Sequence, residues 1–397
     1  MIGLIPTEHH PYSLRDVVRG LAAAGRGSDQ PAVISLPGIG DGVAIRSARA
    51  AMIISLKALG LPPGAKVGVP LYCCPVVFKA IKAADCIPKF IDIEADSHCL
   101  STKDLRAKRS GLAAVIAVHM FGNVCDMPLI LEIMAGKPVI EDCAQSIGSK
   151  LGGKSCGSFG EVSFFSFRSG KYLAIGEGAA LYSGNANLRA RLTALTAALP
   201  VPTPAAEIRH VGETYLRSKL RSRRLWGPVG SRIWAAYNQR TDFGDKSPIV
   251  LGRMFASDLA TLRQRLPQLD AAIASQRAHA AFFERNLDLA PAQLPIESAG
   301  AFLNRLMYPI VFPSTGLRDA MAGYLRRHGI GTSSPYEDAV EGARAWYGYE
   351  GDCPAGESIL KRTLVVPGSH ALRSKDIERI TRCLNDGWSL VKGTGRS

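Results

Sequence analysis

Residues 139–181 read VIEDCAQSIGSKLGGKSCGSFGEVSFFSFRSGKYLAIGEGAAL. The stretch opens on an apolar run that ends in Glu141-Asp142. A second run, VSFFSF (162–167), leads through a Ser-Gly step to Lys171 and a glycine-rich turn. A third, GAALYS (178–183), follows. Each run has the length and composition of a strand. Working outward, KVGVP (66–70), PKFIDI (88–93) and LAAVIAVHM (112–120) read the same way. SARAAMIISLKALG, VVFKAIKAA and MPLILEIMAG lie between them with helical patterning, the first ending in Gly60. Strand and helix thus alternate from about 43 to 185. This predicts an α/β fold, with a mostly parallel sheet covered by helices on both faces. Ligands in such sheets sit at the carboxyl ends of the strands.

Residues 186–250 break the pattern. Within them RSKLRSRRLWGPVGSRIWAAYNQR (217–240) carries seven basic residues, no acidic one, and Trp226 and Trp234. The run reads as a solvated helix pair, an interfacial patch touching anionic lipid, or a lid that grips a diphosphate. Residues 253–287 read as a long helix kinked at Pro267. RLMYPIVFP (305–313), LRDAMAGYLRRHGI (317–330), RTLVVPG (362–368) and KDIERITRCLNDGW (375–388) then suggest a smaller α+β domain. The expected division is 1–250 as a large domain, with 186–250 a basic insert, and 251–397 as a small C-terminal domain.

With 397 residues, 47% of them hydrophobic and 21% charged, the chain is an ordinary globular protein with room for two cores. A net charge of +14 favours anionic partners. The zinc-finger, RRM and basic-zipper patterns of nucleic-acid binders are missing, so no nucleic-acid partner is expected. Nine cysteines, with no CxxC pair, argue against a disulfide framework or a metal site. The opening MIGLIPTEHHPYSLRD lacks signal-peptide features, and no uncharged apolar run approaches a membrane span. A soluble, cytoplasmic protein is expected.

Three features together carry chemistry. Asp142 ends a strand where a ligand crevice falls. Ser47 is an N-cap signal, and the small first turn that follows (Ala48, Arg49) leaves backbone N–H groups open to a phosphate. Ser166 and Lys171 flank the Ser-Gly step. A lysine amine is a poor nucleophile at neutral pH, but burial beside a cation lowers its pKa and favours Schiff-base chemistry. A carboxylate, a phosphate-ready helix start with a hydroxyl, and one such lysine are what pyridoxal phosphate (PLP) requires.

At this point the sequence resembles the DegT/StrS-type PLP-dependent sugar aminotransferases, which have the aspartate-aminotransferase fold (fold type I). The resemblance runs over about 42–185 and resumes from about 253. It is strongest in AVHMFGNVCDM (117–127), VIEDCAQSIGSKLGGKSCGSFGEVSFFSF (139–167) and GKYLAIGEGAAL (170–181). It implies that Asp142 serves the pyridine nitrogen, that Gln145 lies at the cofactor, that Ser166 binds phosphate and that Lys171 forms the Schiff base. The phosphate turn falls on Ser47, Ala48 and Arg49. Departures are visible. The block whose aromatic residue stacks on the cofactor reads VPLYCCP, placing Cys74 there and Tyr72 two residues earlier. The NxRM block reads Leu251-Gly252-Arg253-Met254, without its asparagine, and the substrate loop SSPYEDAV keeps Tyr336 but not the histidine. His119, Arg253 and Tyr336 are the substrate-binding candidates.

The resemblance implies an aminotransferase that moves an amino group from glutamate or glutamine to a keto-sugar, nucleotide-activated in the standard case. It implies a role in surface polysaccharide or natural-product biosynthesis, and a homodimer with the active site at the interface. Two alternatives stand beside this. One is a PLP aminotransferase acting on a lipid-linked or other non-sugar carbonyl, with 217–240 on a membrane surface. The other is a non-catalytic PLP-fold binding or regulatory protein.

Overall fold

The computed structural model describes residues 4–8, 10–24, 30–225 and 249–393. Its strands, in chain order, are β1 (Val33–Leu36), β2 (Gly40–Ile45), β3 (Lys66–Pro70), β4 (Ile87–Ile91), β5 (Ala114–Val118), β6 (Val139–Asp142), β7 (Lys150–Leu151), β8 (Lys154–Ser155), β9 (Val162–Ser166), β10 (Ala179–Tyr182), β11 (Ala301–Phe302), β12 (Tyr308–Val311) and β13 (Thr363–Val366). Eight of them form one sheet in the order β1-β2-β10-β9-β6-β5-β3-β4. The five from β9 to β4 run parallel. β10, β2 and β1 close the other side antiparallel. β5, β6, β9 and β10 are buried at every residue. A strand covered on both faces has no solvent side to mark with polar residues, so its sequence reads as an unbroken apolar run.

The helix Ala48–Leu59 follows β2. Ser47 caps it by accepting from the Ala50 N–H at 3.2 Å, and Gly60 ends it in the left-handed conformation at φ 69°. Eight of its twelve residues are buried, so it is nearly apolar all round and lies within the main core. The long C-terminal helix breaks as expected around Pro267: Ala256–Arg265, a 3₁₀ turn Leu266–Gln268, then Leu269–Asn286.

Residues that follow the expected division at 250/251 contribute to two cores. Met254, Leu262, Leu269 and Ile273 pack with Phe165, Phe167 and Tyr182 of the large sheet. The second core begins at Ala280 and Phe283 and takes in β12, β13, the helix Ser374–Val391 and, from the other end of the chain, Ile5. The helix Leu269–Asn286 spans both, with one half on each. Ile5 reaches the second core through backbone bonds to Gly329 and Gly331.

Of the basic stretch 217–240, residues 226–240 lie outside the described residues, Trp226 and Trp234 included. In its described part Lys219 is exposed while Arg221 is largely buried. That part ends the helix Pro204–Leu220, and Arg221 pairs with Glu8 (3.0 Å) while Arg223 pairs with Asp376 (2.8 Å). No helix among the described residues is long and apolar enough to cross a membrane. All nine cysteines are free thiols.

Candidate active site

Sheet register assembles the site. Val118 lies beside Asp142, and Asp142 beside Phe164, so β5, β6 and β9 end together. Ser166 pairs with Ala179, which pairs with Ile45 on its other side. Ser47, two residues past Ile45, is thereby brought to the same end of the sheet as Ser166 and Asp142. Cys74 lies four residues beyond the end of β3. Ser47, Cys74, Asp142 and Ser166, distant in sequence, thus converge at one end of the sheet.

Lys171 follows a tight turn in which its N–H donates to the Arg168 carbonyl at 3.1 Å. Gly170 takes φ 90° there, which a side chain would resist. Lys171 is half-buried and lines a cavity of about 410 Å³ together with Glu8, Arg168, Arg221, Tyr336 and Asp338. Burial, and next the Arg168 guanidinium, lower its amine from 10.5 to about 8.

Asp142 is 6% exposed. Its Oδ1 accepts from the Ala144 N–H at 2.9 Å. Burial raises its carboxyl above the usual range, against that bond and the charge of Lys171. Among the described residues, no cationic side chain approaches it within ion-pair distance. A buried carboxylate without a cation is costly. A protonated pyridine nitrogen supplies one, and this is the observation on which PLP fits. Ser166, at the end of β9, is also buried, and its Oγ accepts from the Arg168 N–H at 3.4 Å. Ser47 spends its hydroxyl on Ala50, which leaves the N–H groups of Ala48 and Arg49 at the helix start. The Arg49 guanidinium is 3.9 Å from Glu177, which Arg46 also holds at 3.1 Å.

Gln145 is fixed on both sides of its amide. Its Oε1 accepts from the Phe121 N–H (3.2 Å) and its Nε2 donates to the Tyr336 hydroxyl (3.3 Å). Cys74 is half-buried beside Lys171, Arg168 and Asp142, and burial pushes its thiol up. Tyr72 is fully buried against Phe121, His98 and Tyr336, so it belongs to the wall behind the site.

Two substrate candidates sit elsewhere. His119 is fully buried; its Nδ1 accepts from the Cys125 N–H and its Nε2 lies 3.1 Å from Glu141. With Nδ1 accepting, Nε2 carries the proton and donates it, so neither nitrogen faces a substrate. Glu141 also takes the N–H groups of Gly157, Phe159 and Gly160. His119, Glu141 and Cys143 bring ligand atoms within 4.8 Å of one another, but these bonds already satisfy the carboxylate. Arg253 donates to the Ala197 carbonyl, and its own N–H to Pro200; it does not line the Lys171 cavity. Both bonds place it at the end of the helix Ala186–Ala197.

The chain matches the DegT/DnrJ/EryC1/StrS aminotransferase family over residues 33–385. It belongs to that family. It is therefore a PLP-dependent aminotransferase of fold type I. The UDP-N-acetyl-3-dehydro-alpha-D-glucosamine 3-aminotransferase of Acidithiobacillus ferrooxidans is 28% identical over 360 residues, 88% of this chain and 84% of that protein. The GDP-perosamine synthase of Vibrio cholerae is 35% identical over 138 residues, 34% of this chain and 38% of that protein. The Streptococcus pneumoniae protein Spr1654, assigned as a sugar aminotransferase and solved in its PLP form, superposes with a TM-score of 0.74 at 16% identity, covering 98% of this chain and 99% of that one.

Two charged residues of the cavity were not singled out in the sequence, Glu8 and Arg168, whereas Arg221 stood within the basic run 217–240. Arg168 carried a signal, a second cation three positions before Lys171. Glu8 carried none, since 213 positions separate it from Arg221.

Proposed function

We propose that this aminotransferase moves an amino group from glutamate or glutamine to a nucleotide-activated keto-sugar. The observation that carries the reading is the buried Asp142 carboxylate, without a cation of its own, beside the Lys171 amine at the carboxyl ends of β6 and β9. Relatives that act on UDP- and GDP-linked sugars support the acceptor class.

PLP, when bound, supplies a carbonyl for covalent attachment and an electron-accepting ring. Lys171 Nζ would make that attachment and, when free, would act as the base that takes the donor α-carbon proton and the acid that gives it up again, with the reverse sense for the acceptor. An amine near 8 suits both directions at neutral pH. Asp142, through its buried negative charge, would favour a protonated pyridine nitrogen on the bound cofactor. The first-turn N–H groups of Ala48 and Arg49, with the Ser166 hydroxyl, hold the phosphate. Gln145 and Tyr336 close one side of the cavity, and Cys74 offers a small face where an aromatic ring is usual.

The same reading makes the protein a cytoplasmic homodimer with its site at the interface, working in surface polysaccharide or natural-product biosynthesis. The experiment is an amination assay with glutamate or glutamine and a panel of nucleotide keto-sugars, set against lipid-linked keto-sugars. Amination of nucleotide-linked acceptors is expected. Amination of lipid-linked acceptors alone would replace this acceptor class, and turnover unaffected by Lys171→Ala would overturn the reading.

A further inference from the structure

The N-terminal segment crosses the mouth of the Lys171 cavity. It is tied on one side by Ile5 to Gly329 and Gly331. On the other side the Ser218 hydroxyl donates to the His10 carbonyl at 2.6 Å, and the Tyr12 N–H donates to Ser218 at 3.1 Å. Between these ties Glu8 turns inward. Its Oε2 accepts from Arg221 Nη1 at 3.0 Å, and His10 Nε2 lies 3.2 Å from the same oxygen and touches the same guanidinium. The carboxylate also abuts the lysine turn: a Cβ on Gly170 would stand 2.7 Å from Glu8 Oε2.

Arg168, more than a third exposed, lines the same cavity. The cavity wall therefore carries three cations, Arg168, Lys171 and Arg221, against two carboxylates, Glu8 and Asp338. One of those carboxylates is a glutamate side chain resting one residue from the lysine that the donor nitrogen must reach. An amino-acid donor delivers a carboxylate to that neighbourhood whenever its nitrogen arrives at Lys171.

We infer that Arg168 and Arg221 form the anchor for a carboxylate of the amino donor, and that Glu8 is its internal occupant, which the donor displaces. The inference rests on the aminotransferase reading above. Arginine suits the task because its planar guanidinium grips a carboxylate through two N–H groups. Glu8 imposes competition: donor binds only the fraction of molecules whose anchor is open, so the apparent affinity falls by that fraction. The backbone ties on either side keep the segment in place, so that Glu8 alone need swing away.

The test is calorimetric titration of the PLP-loaded protein with glutarate, a dicarboxylate that has no amine and cannot react. Glu8→Gln is expected to bind glutarate roughly tenfold more tightly than the parent. Arg168→Leu and Arg221→Leu are expected to bind it at least about tenfold more weakly. Arg168 is the safer variant, since its exposed side chain takes no part in the Ile5 and Ser218 bonds that tie the N-terminal segment. Inorganic pyrophosphate is titrated in parallel. Unchanged or weaker glutarate binding by Glu8→Gln overturns the inference, and so does a gain confined to pyrophosphate, which would make the anchor a phosphate site. The titration needs no turnover, so its failure leaves the aminotransferase reading standing.

Discussion

The Gln145 side-chain amide donates to the Tyr336 hydroxyl at 3.3 Å, across 191 positions of sequence. Gln145 follows Asp142 on the large sheet, while Tyr336 lies in the loop after the helix Thr315–Arg327, in the left-handed conformation at φ 64°. The bond ties the segment that follows β6 to Tyr336 in the wall of the Lys171 cavity.

Tyr336→Phe removes that bond and keeps the ring. A single neutral bond contributes about 1 kcal/mol, so folding stability should fall by no more than that. The acceptor KM is expected to rise several-fold, because the loop is no longer registered against Gln145. Steady-state kinetics beside a thermal melt separate the two effects.

Asp142→Asn leaves the volume and removes the charge. The pyridine nitrogen then loses the partner that keeps its proton, and kcat is expected to fall on the order of 10²-fold, as for other buried electrostatic contacts to a reacting centre. Covalent attachment at Lys171 should persist. Absorption spectra of the loaded variant check the attachment, and single-turnover rates check the loss.

The attacking form of Lys171 is the neutral amine. With its pKa lowered from 10.5 to about 8, by burial and then by Arg168, attachment of PLP to cofactor-free protein should accelerate with pH and level off above about 8. Arg168→Leu removes the repelling charge and lets the ammonium persist, so the midpoint moves to higher pH. Attachment rates followed by visible absorption across pH give both midpoints. A midpoint that stays put or falls would remove Arg168 as a tuning residue.

Much of this was legible in the sequence, and the reasons differ by element. The runs ending in Asp142 and Ser166 are strands buried on both faces, so their apolar composition survives translation into structure directly. Lys171 stood out because glycine and serine around it marked a turn between two such runs. The antiparallel strands before 48 were not legible. β1 alternates exposed and buried positions and β2 opens on two exposed ones, so neither reads as an unbroken apolar run. A strand-end histidine such as His119 reads the same in sequence whether it faces a cavity or a core partner; its bonds to Cys125 and Glu141 show in the structure alone. One helix, Leu269–Asn286, serves two cores, which its local sequence pattern does not reveal. Glu8 over the cavity mouth depends on contacts too distant in sequence for any local pattern.

The His119–Glu141 pair gives a prediction about folding alone. Glu141 is fully buried and accepts from His119 and three backbone N–H groups. Glu141→Gln replaces an acceptor oxygen by an NH₂ that faces donors. Breaking a buried charged network of this kind costs about 3–5 kcal/mol. Urea denaturation of the variant should show a loss of that order.

The central claim is that Lys171 carries the cofactor. Borohydride reduction of the PLP-loaded protein, followed by peptide mass mapping, tests it most directly. The account predicts a single phosphopyridoxyl adduct on Lys171, absent from Lys171→Ala. An adduct on another lysine, or undiminished labelling of Lys171→Ala, would contradict it.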